Sequence, residues 1–202
     1  MTGFVVLLAA SFLLGSFPTA YIVAKKVGGI DIRKHGSGNV GATNALRVLG
    51  KKYGALVFAA DFLKGSLPAF GALSFFSGDP RAQVLALACG VAAILGHIFT
   101  PFLGFKGGKG ISTGAGALCA AYPGLFVIAM AVFLASILMT RIVSLSSLLA
   151  LGAVVPASLW YPRDAAVTGL FLALLLLVCW SHRENISRLL QGKEAPITRK
   201  IK

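Results

Sequence analysis

Acidic side chains are in short supply. The 202-residue chain carries six Asp and Glu against nineteen Lys and Arg, a formal charge of +13. Any site built from it will have many donors and few carboxylates. Cysteine is equally sparse, and Cys89, Cys119 and Cys179 stand alone within apolar stretches. Without a Cys-x-x-Cys pair or a His/Cys cluster, neither a disulfide framework nor a metal centre has support. The three thiols read as small core hydrophobes. A low-complexity linker and an internal repeat are also missing, so a single membrane domain over 1–202 is expected. The N-terminus lacks the basic region of a secretory leader, and Lys25-Lys26 follow the opening apolar stretch instead of preceding it. That stretch is expected to be a retained span.

What the chain has in quantity is apolar surface. Hydrophobic residues make up 57% of it, with a mean hydropathy of +0.85, where soluble domains average about 45–50%. The excess lies in blocks, and a spanning helix needs roughly 17–25 such residues. An all-α integral membrane protein is therefore expected. Charge placement sets its orientation. Basic residues crowd 25–52 (Lys25, Lys26, Arg33, Lys34, Arg47, Lys51, Lys52), 104–110 (Lys106, Lys109) and 182–202 (Arg183, Arg188, Lys193, Arg199, Lys200, Lys202). Only Arg81 and Arg163 fall in the loops that would lie opposite. Under the positive-inside rule all three basic regions are cytoplasmic. This layout accounts for the charge through the membrane and argues against nucleic-acid binding.

Parity then demands seven spans, with the N-terminus outside and the C-terminus inside. They are expected near 3–24, 53–77, 81–103, 111–122, 124–140, 143–161 and 165–181. The fourth, ISTGAGALCAAY, is too short to cross unaided. It can cross if its glycine-rich start lies in a protein-lined recess, and Gly110, Gly114, Gly116 and Ala117 permit close helix packing.

Three cytoplasmic segments hold the candidate chemistry. The first, KHGSGNVGATNALRVLG (34–50), matches a dinucleotide-binding GxGxxG through Gly36, Gly38 and Gly41. That fingerprint needs a strand before it and a βαβ unit around it, so it is rejected here. Its glycines can still turn backbone N–H groups toward an anion. Ser37, Asn39, Thr43 and Asn44 offer neutral hydrogen bonds, and Arg47 offers a planar fork for phosphate. The second, GFKGGKGIST (104–113), is not a Walker A loop. Its glycines, Lys106 and Lys109 nevertheless lead straight into a helix beginning near Ser112 and Thr113, and a helix N-terminus favours anions. In the tail, His182 and Asn185 share a face if the helix continues. Within the second span, Asp61 and Lys64 are spaced to pair, as ionisable groups at that depth must unless they face a wet cavity. A polar cavity continuous with the loops is expected beside them. His97 reads as a satisfied core residue.

Together these segments resemble the acyl-phosphate-dependent glycerol-3-phosphate acyltransferase family (PlsY). The resemblance covers essentially the whole chain, seven-span layout included. Its first motif corresponds to Lys34–Asn44 with Arg47. The second corresponds to Lys106-Gly107-Gly108-Lys109-Gly110 with Ser112-Thr113, and the third to His182-Arg183-Glu184-Asn185-Ile186 through Arg188, Gly192 and Glu194. Asp61-Phe62-Leu63-Lys64-Gly65 is similar too. No departure exceeds conservative variation around Ser112. The resemblance implies transfer of a fatty acyl group from acyl phosphate to glycerol 3-phosphate, giving 1-acylglycerol 3-phosphate. It implies no metal or organic cofactor, and a multi-pass enzyme of the bacterial cytoplasmic membrane; a monomer in contact with membrane lipid is expected. The His-x4-Asp motif of the other large acyltransferase family is absent: Val40, Phe102 and Ser187 stand five after His35, His97 and His182.

On this reading Ser37, Arg47, Lys109, His182 and Asn185 are the candidate catalytic residues. Gly38, Asn39, Gly41, Thr43, Asn44, Lys106, Gly107, Gly108, Gly110, Ser112 and Thr113 are the candidate phosphate contacts. Asp61 and Lys64 line the cavity, and Glu194 tethers the tail to basic loops. The hydroxyl proton is expected to pass to a bound phosphate oxygen, with His182 as the rival base. A serine acyl-enzyme is not expected, because no carboxylate-oriented base accompanies Ser37. The alternative from another class is a phosphate or organic-anion transporter. The lack of duplicated halves and the crowding of anion-binding residues on one face count against it.

Overall fold

The computed structural model describes residues 2–161 and 164–197. Arg163, Arg199, Lys200 and Lys202, counted above among the basic and flanking charges, lie outside the described residues. Every regular element among the described residues is helical. Contacts group the helices into two compact units, which meet in sequence at Ala121 and Tyr122. Pro123 starts a new helix there, and Tyr122 leaves helical geometry at φ −139°, ψ 73°.

The first unit holds α1 (Thr2–Ser16), α2 (Thr19–Gly28), α3 (Ala42–Leu49), α4 (Lys51–Phe75), α5 (Ala82–Ile98) and α6 (Ile111–Ala121). The first span is thus not one continuous helix. Pro18 has no N–H and its ring crowds the preceding turn, so the helix stops at Ser16 and restarts at Thr19. The break exposes carbonyls that side chains then satisfy. Thr100 Oγ1 donates to Ser16 O (2.6 Å) and Lys64 Nζ to Phe17 O (2.5 Å).

Glycine lets these helices cross with backbones touching. A Cβ on Gly65 of α4 would overlap the Thr113 carbonyl of α6, and one on Gly116 of α6 would overlap the Phe62 carbonyl of α4. The same reciprocal fit joins α1 to α5, through Gly15 against Ala93 O and Gly96 against Phe12 O. Gly90 seats the Ala117 side chain. Close approach of this kind is how helices associate where lipid removes the hydrophobic drive. It is also the use expected for Gly116 and Ala117.

The second unit holds α7 (Pro123–Thr140), α8 (Val143–Ser158), α9 (Ala165–Ser181) and α10 (Arg183–Leu190). α7 and α8 form a hairpin that turns at Arg141, in the left-handed region at φ 58°. Its buried hydroxyls are paired: Ser146 Oγ with Ser136 Oγ, and Ser158 Oγ with Thr168 Oγ1, each at 3.0 Å. Asp164 caps α9, accepting from the Ala166 and Val167 amides.

Leu63, Leu67 and Phe70 of α4 stay exposed, as do Val127 and Leu138 of α7 and Leu172 and Leu176 of α9. A coat this apolar marks a surface meant for hydrocarbon. Four helical stretches are long and apolar enough to cross a membrane, namely Thr2–Gly28 taken through its bend, Lys51–Phe75, Ala82–Leu103 and Pro123–Thr140. A fifth follows if α9 and α10 count as one bent span. α6 and α8 are apolar but shorter. At roughly 1.5 Å per residue α6 covers only about half of the bilayer core.

Candidate active site

The first glycine-rich loop is organised by one buried side chain, Asn44, only 1% exposed. Its Nδ2 donates to the carbonyls of Ile32 (3.3 Å), His35 (3.0 Å) and Asn39 (3.0 Å), and its Oδ1 accepts from the Ser37 amide (2.9 Å). Gly36 and Gly38 adopt positive φ, 61° and 72°, which the tight path requires. The Gly38 amide turns back to His35 O. Asn44 is the loop's internal brace, and the Ser37 and Gly38 amides are both engaged within the loop. A 3-10 turn at Ile32–Lys34, not a strand, precedes the glycines, as the rejection of the dinucleotide motif requires. The Ser37 side chain is exposed beyond the brace, while Asn39, Thr43 and Arg47 are half-buried. At the loop's start the bidentate Arg33 guanidinium holds the Asp31 carboxyl down to about 2. Asp31 is therefore a fixed anion and no proton acceptor near neutral pH.

The second loop folds back onto the end of α5. The Gly107 amide donates to Ile98 O (2.9 Å) and the Gly108 amide to His97 O (3.1 Å). These bonds satisfy helix-end carbonyls, so the two amides cap α5. Gly110, at φ 79°, turns the chain into α6. Thr113 is fully buried, its carbonyl against Gly65. Lys106 is exposed, and Lys109 and Ser112 are half-buried at the start of α6. There the first-turn N–H groups have no intrahelical acceptor and the dipole is positive.

Both loops rest on common ground. Val40 of the first packs in one apolar cluster with Ile32, Ala45, Val57 and Leu103. Beside it lies a small recess, open to solvent, with polar side chains in its wall. Val40, Gly107 and Gly108 line it from the loops, and Thr19, Asp61, Lys64 and His97 from the helices. Asp61 and Lys64 form the pair their spacing predicts, at 2.6 Å and almost fully buried. The cavity is continuous with both loops. The sequence reading gives His97 too little weight, since its ring faces this recess. The available signal is its position at the end of a helix that runs into the glycine-lysine loop.

In the second unit, α10 continues from α9 after a 68° bend. His182 sits at the bend, 2% exposed, and its Nδ1 donates to Val178 O at 2.9 Å. That bond places the neutral ring's proton on Nδ1. Asn185, also buried, donates to Glu194 Oε1 (2.5 Å), as does Ser144 Oγ (2.8 Å), while Arg188 Nε meets Oε2 (2.6 Å). Burial works against charge on Glu194. Arg188, Asn185 and Ser144 outweigh it and hold the carboxyl below its ordinary value. Through these bonds Glu194 ties the tail to Ser144, Asn185 and Arg188. The Ile197 amide adds a strap to Arg141 O.

The glycerol-3-phosphate acyltransferase family profile matches residues 5–192. A protein of Aquifex aeolicus (strain VF5) named glycerol-3-phosphate acyltransferase is 44% identical over 187 residues, covering 91% of this chain and 94% of its own. Two crystal structures of PlsY (YgiH), described as an integral membrane glycerol 3-phosphate acyltransferase, are similar throughout. Its glycerol 3-phosphate form superposes with a TM-score of 0.88 at 40% identity, covering 96% of this chain and 95% of that one. Its lysophosphatidic acid form gives 0.86 at 39%, with the same coverage.

Proposed function

Because the chain belongs to the glycerol-3-phosphate acyltransferase family, we propose that it acylates the sn-1 hydroxyl of glycerol 3-phosphate from an acyl phosphate. The products are 1-acylglycerol 3-phosphate and inorganic phosphate. The observation that carries this reading is the pairing of two basic, glycine-formed loops over one polar recess.

Acyl phosphate is a mixed anhydride and needs no prior covalent activation. The glycerol oxygen attacks the acyl carbon, and the C–O bond to phosphate breaks with its electron pair leaving on phosphate. The hydroxyl proton passes to a bound phosphate oxygen. The protein has to orient two anions, which in favourable cases supplies roughly 7–11 kcal/mol. It must also aim donors at the developing charge, each worth about 3–4 kcal/mol. Ser37 Oγ, the Arg47 fork, Lys109 and the first turn of α6 with Ser112 fill these roles, with Asn39, Thr43 and Lys106 at the rim. Gly41 and Gly110 shape the loops. In the second unit, Val178 O and Glu194 set the orientations of His182 and Asn185.

By the same reading the protein is a monomer that spans the bacterial cytoplasmic membrane seven times, with its site toward the cytoplasm and no cofactor. The deciding assay supplies detergent-purified protein with glycerol 3-phosphate and either palmitoyl phosphate or palmitoyl-CoA. Product from palmitoyl phosphate alone is expected. Turnover with the thioester alone overturns the donor, and turnover with neither overturns the reaction.

A further inference from the structure

We propose that His97 is a positioning residue for the second loop, and that its imidazole transmits the geometry of the buried Asp61–Lys64 pair to Gly108 and Lys109. His97 lies at the end of α5, 8% exposed, with its two ring nitrogens facing different partners. Nδ1 is 3.9 Å from Asp61 Oδ1, an electrostatic separation longer than a hydrogen bond. Nε2 lies on the other side, directly under the Gly108 α-carbon. A Cβ added there would overlap Nε2, and its three nearest neighbours are all atoms of the His97 ring.

Below the ring, the groups that face it are themselves fixed by hydrogen bonds. Lys64 Nζ joins Asp61 Oδ1 to the Phe17 carbonyl, which the Pro18 break leaves accessible. Thr100 Oγ1 fastens the chain just past His97 to Ser16 O at the same break. Thr19 Oγ1, buried and without a hydrogen-bond partner, lines the same recess. From above, the Gly108 amide closes onto the His97 carbonyl and the Gly107 amide onto Ile98 O. The imidazole therefore sits between a fixed ionic pair and the backbone one residue before Lys109. A displacement of about 1 Å at a substrate-binding group can cost on the order of a hundredfold in rate. His97 itself touches no reacting atom.

This rests on the proposed transfer reaction, and the test separates the two. A cycle of His97→Ala, Gly108→Ala and the double variant is compared with Gly107→Ala, alone and combined with His97→Ala. Gly108→Ala is expected to lower kcat/KM about a hundredfold, through a higher KM for a phosphorylated substrate. The space vacated in His97→Ala accepts the new Cβ, so the double variant should regain about tenfold over Gly108→Ala. Gly107→Ala should gain nothing, because its Cβ meets the carbonyls of His97 and Ile98 and no side chain. Amide hydrogen exchange at 107 and 108 gives a readout independent of turnover. It should quicken in each single variant at these two positions and slow again in the His97→Ala/Gly108→Ala protein. If the double variant is no better than Gly108→Ala by either measure, or if His97→Ala matches wild type in both, the positioning role is overturned. If wild type transfers no acyl group, the reaction fails, and exchange alone still decides His97.

Discussion

Asn44 does with one carboxamide what a strand ladder does elsewhere, gathering three carbonyls and an amide from residues five to twelve positions away. Removing it leaves buried polar groups unmet, at about 1–3 kcal/mol each. Asn44→Ala should therefore abolish turnover and lower the unfolding temperature, whereas Ser37→Ala should lose turnover in a protein that melts as wild type does. Asn44→Asp, which carries charge into that pocket and loses the three donated bonds, should do no better than Asn44→Ala in either measurement. The Asp61–Lys64 pair makes a different prediction. Lys64→Met strands a buried carboxylate and should cost about 3–5 kcal/mol, while an Asp61→Leu/Lys64→Met double variant should recover most of that loss, read by thermal unfolding in detergent. Glu194 carries a pH dependence. Its folded-state value is depressed, so its contribution is complete above the ordinary carboxylate range and is lost as pH falls through the lowered value. Glu194→Gln should flatten that acid limb of the unfolding curve; an unchanged limb would assign it to another group.

At the scale of elements, the glycine crossings decide which helices sit together. Gly65→Ala and Gly116→Ala set a methyl against a carbonyl of the facing helix, where no side chain can swing aside. Each should destabilise by about 1–3 kcal/mol. Gly71→Ala on the same helix as Gly65, with open space around it, should not. Equal melting shifts for all three would show that the α4–α6 approach carries no special constraint. The helix break at Pro18 was written in the sequence as a proline inside an apolar run, yet its use was not. Lys64 and Thr100 reach its carbonyls from 47 and 84 residues away, and no local pattern announces such partners. The bend at His182 had no local signal either, since neither proline nor glycine stands there.

For the molecule in its membrane, orientation is open to direct measurement. With Cys89, Cys119 and Cys179 replaced by serine, Lys26→Cys and Lys193→Cys should react with an impermeant maleimide only from the cytoplasmic side. Ser77→Cys should react only from the opposite side. Labelling of positions 26 and 77 from one side would break the parity on which seven spans rest.

Hydropathy and the placement of lysine and arginine, both linear properties of the chain, were enough to establish a helical membrane protein, because lipid admits few other spanning structures. The two glycine-lysine loops, the Asp61–Lys64 pairing and the short fourth helix were legible for the same reason, since each depends on neighbours within one or two turns. Folding alone could decide that Asn44 braces a loop. It likewise decided that the Gly107 and Gly108 amides cap α5, that Thr113 is sealed against Gly65, and that His97 lies against Gly108. Each of these turns on which way a donor points once distant segments meet, and spacing along a chain carries no record of direction.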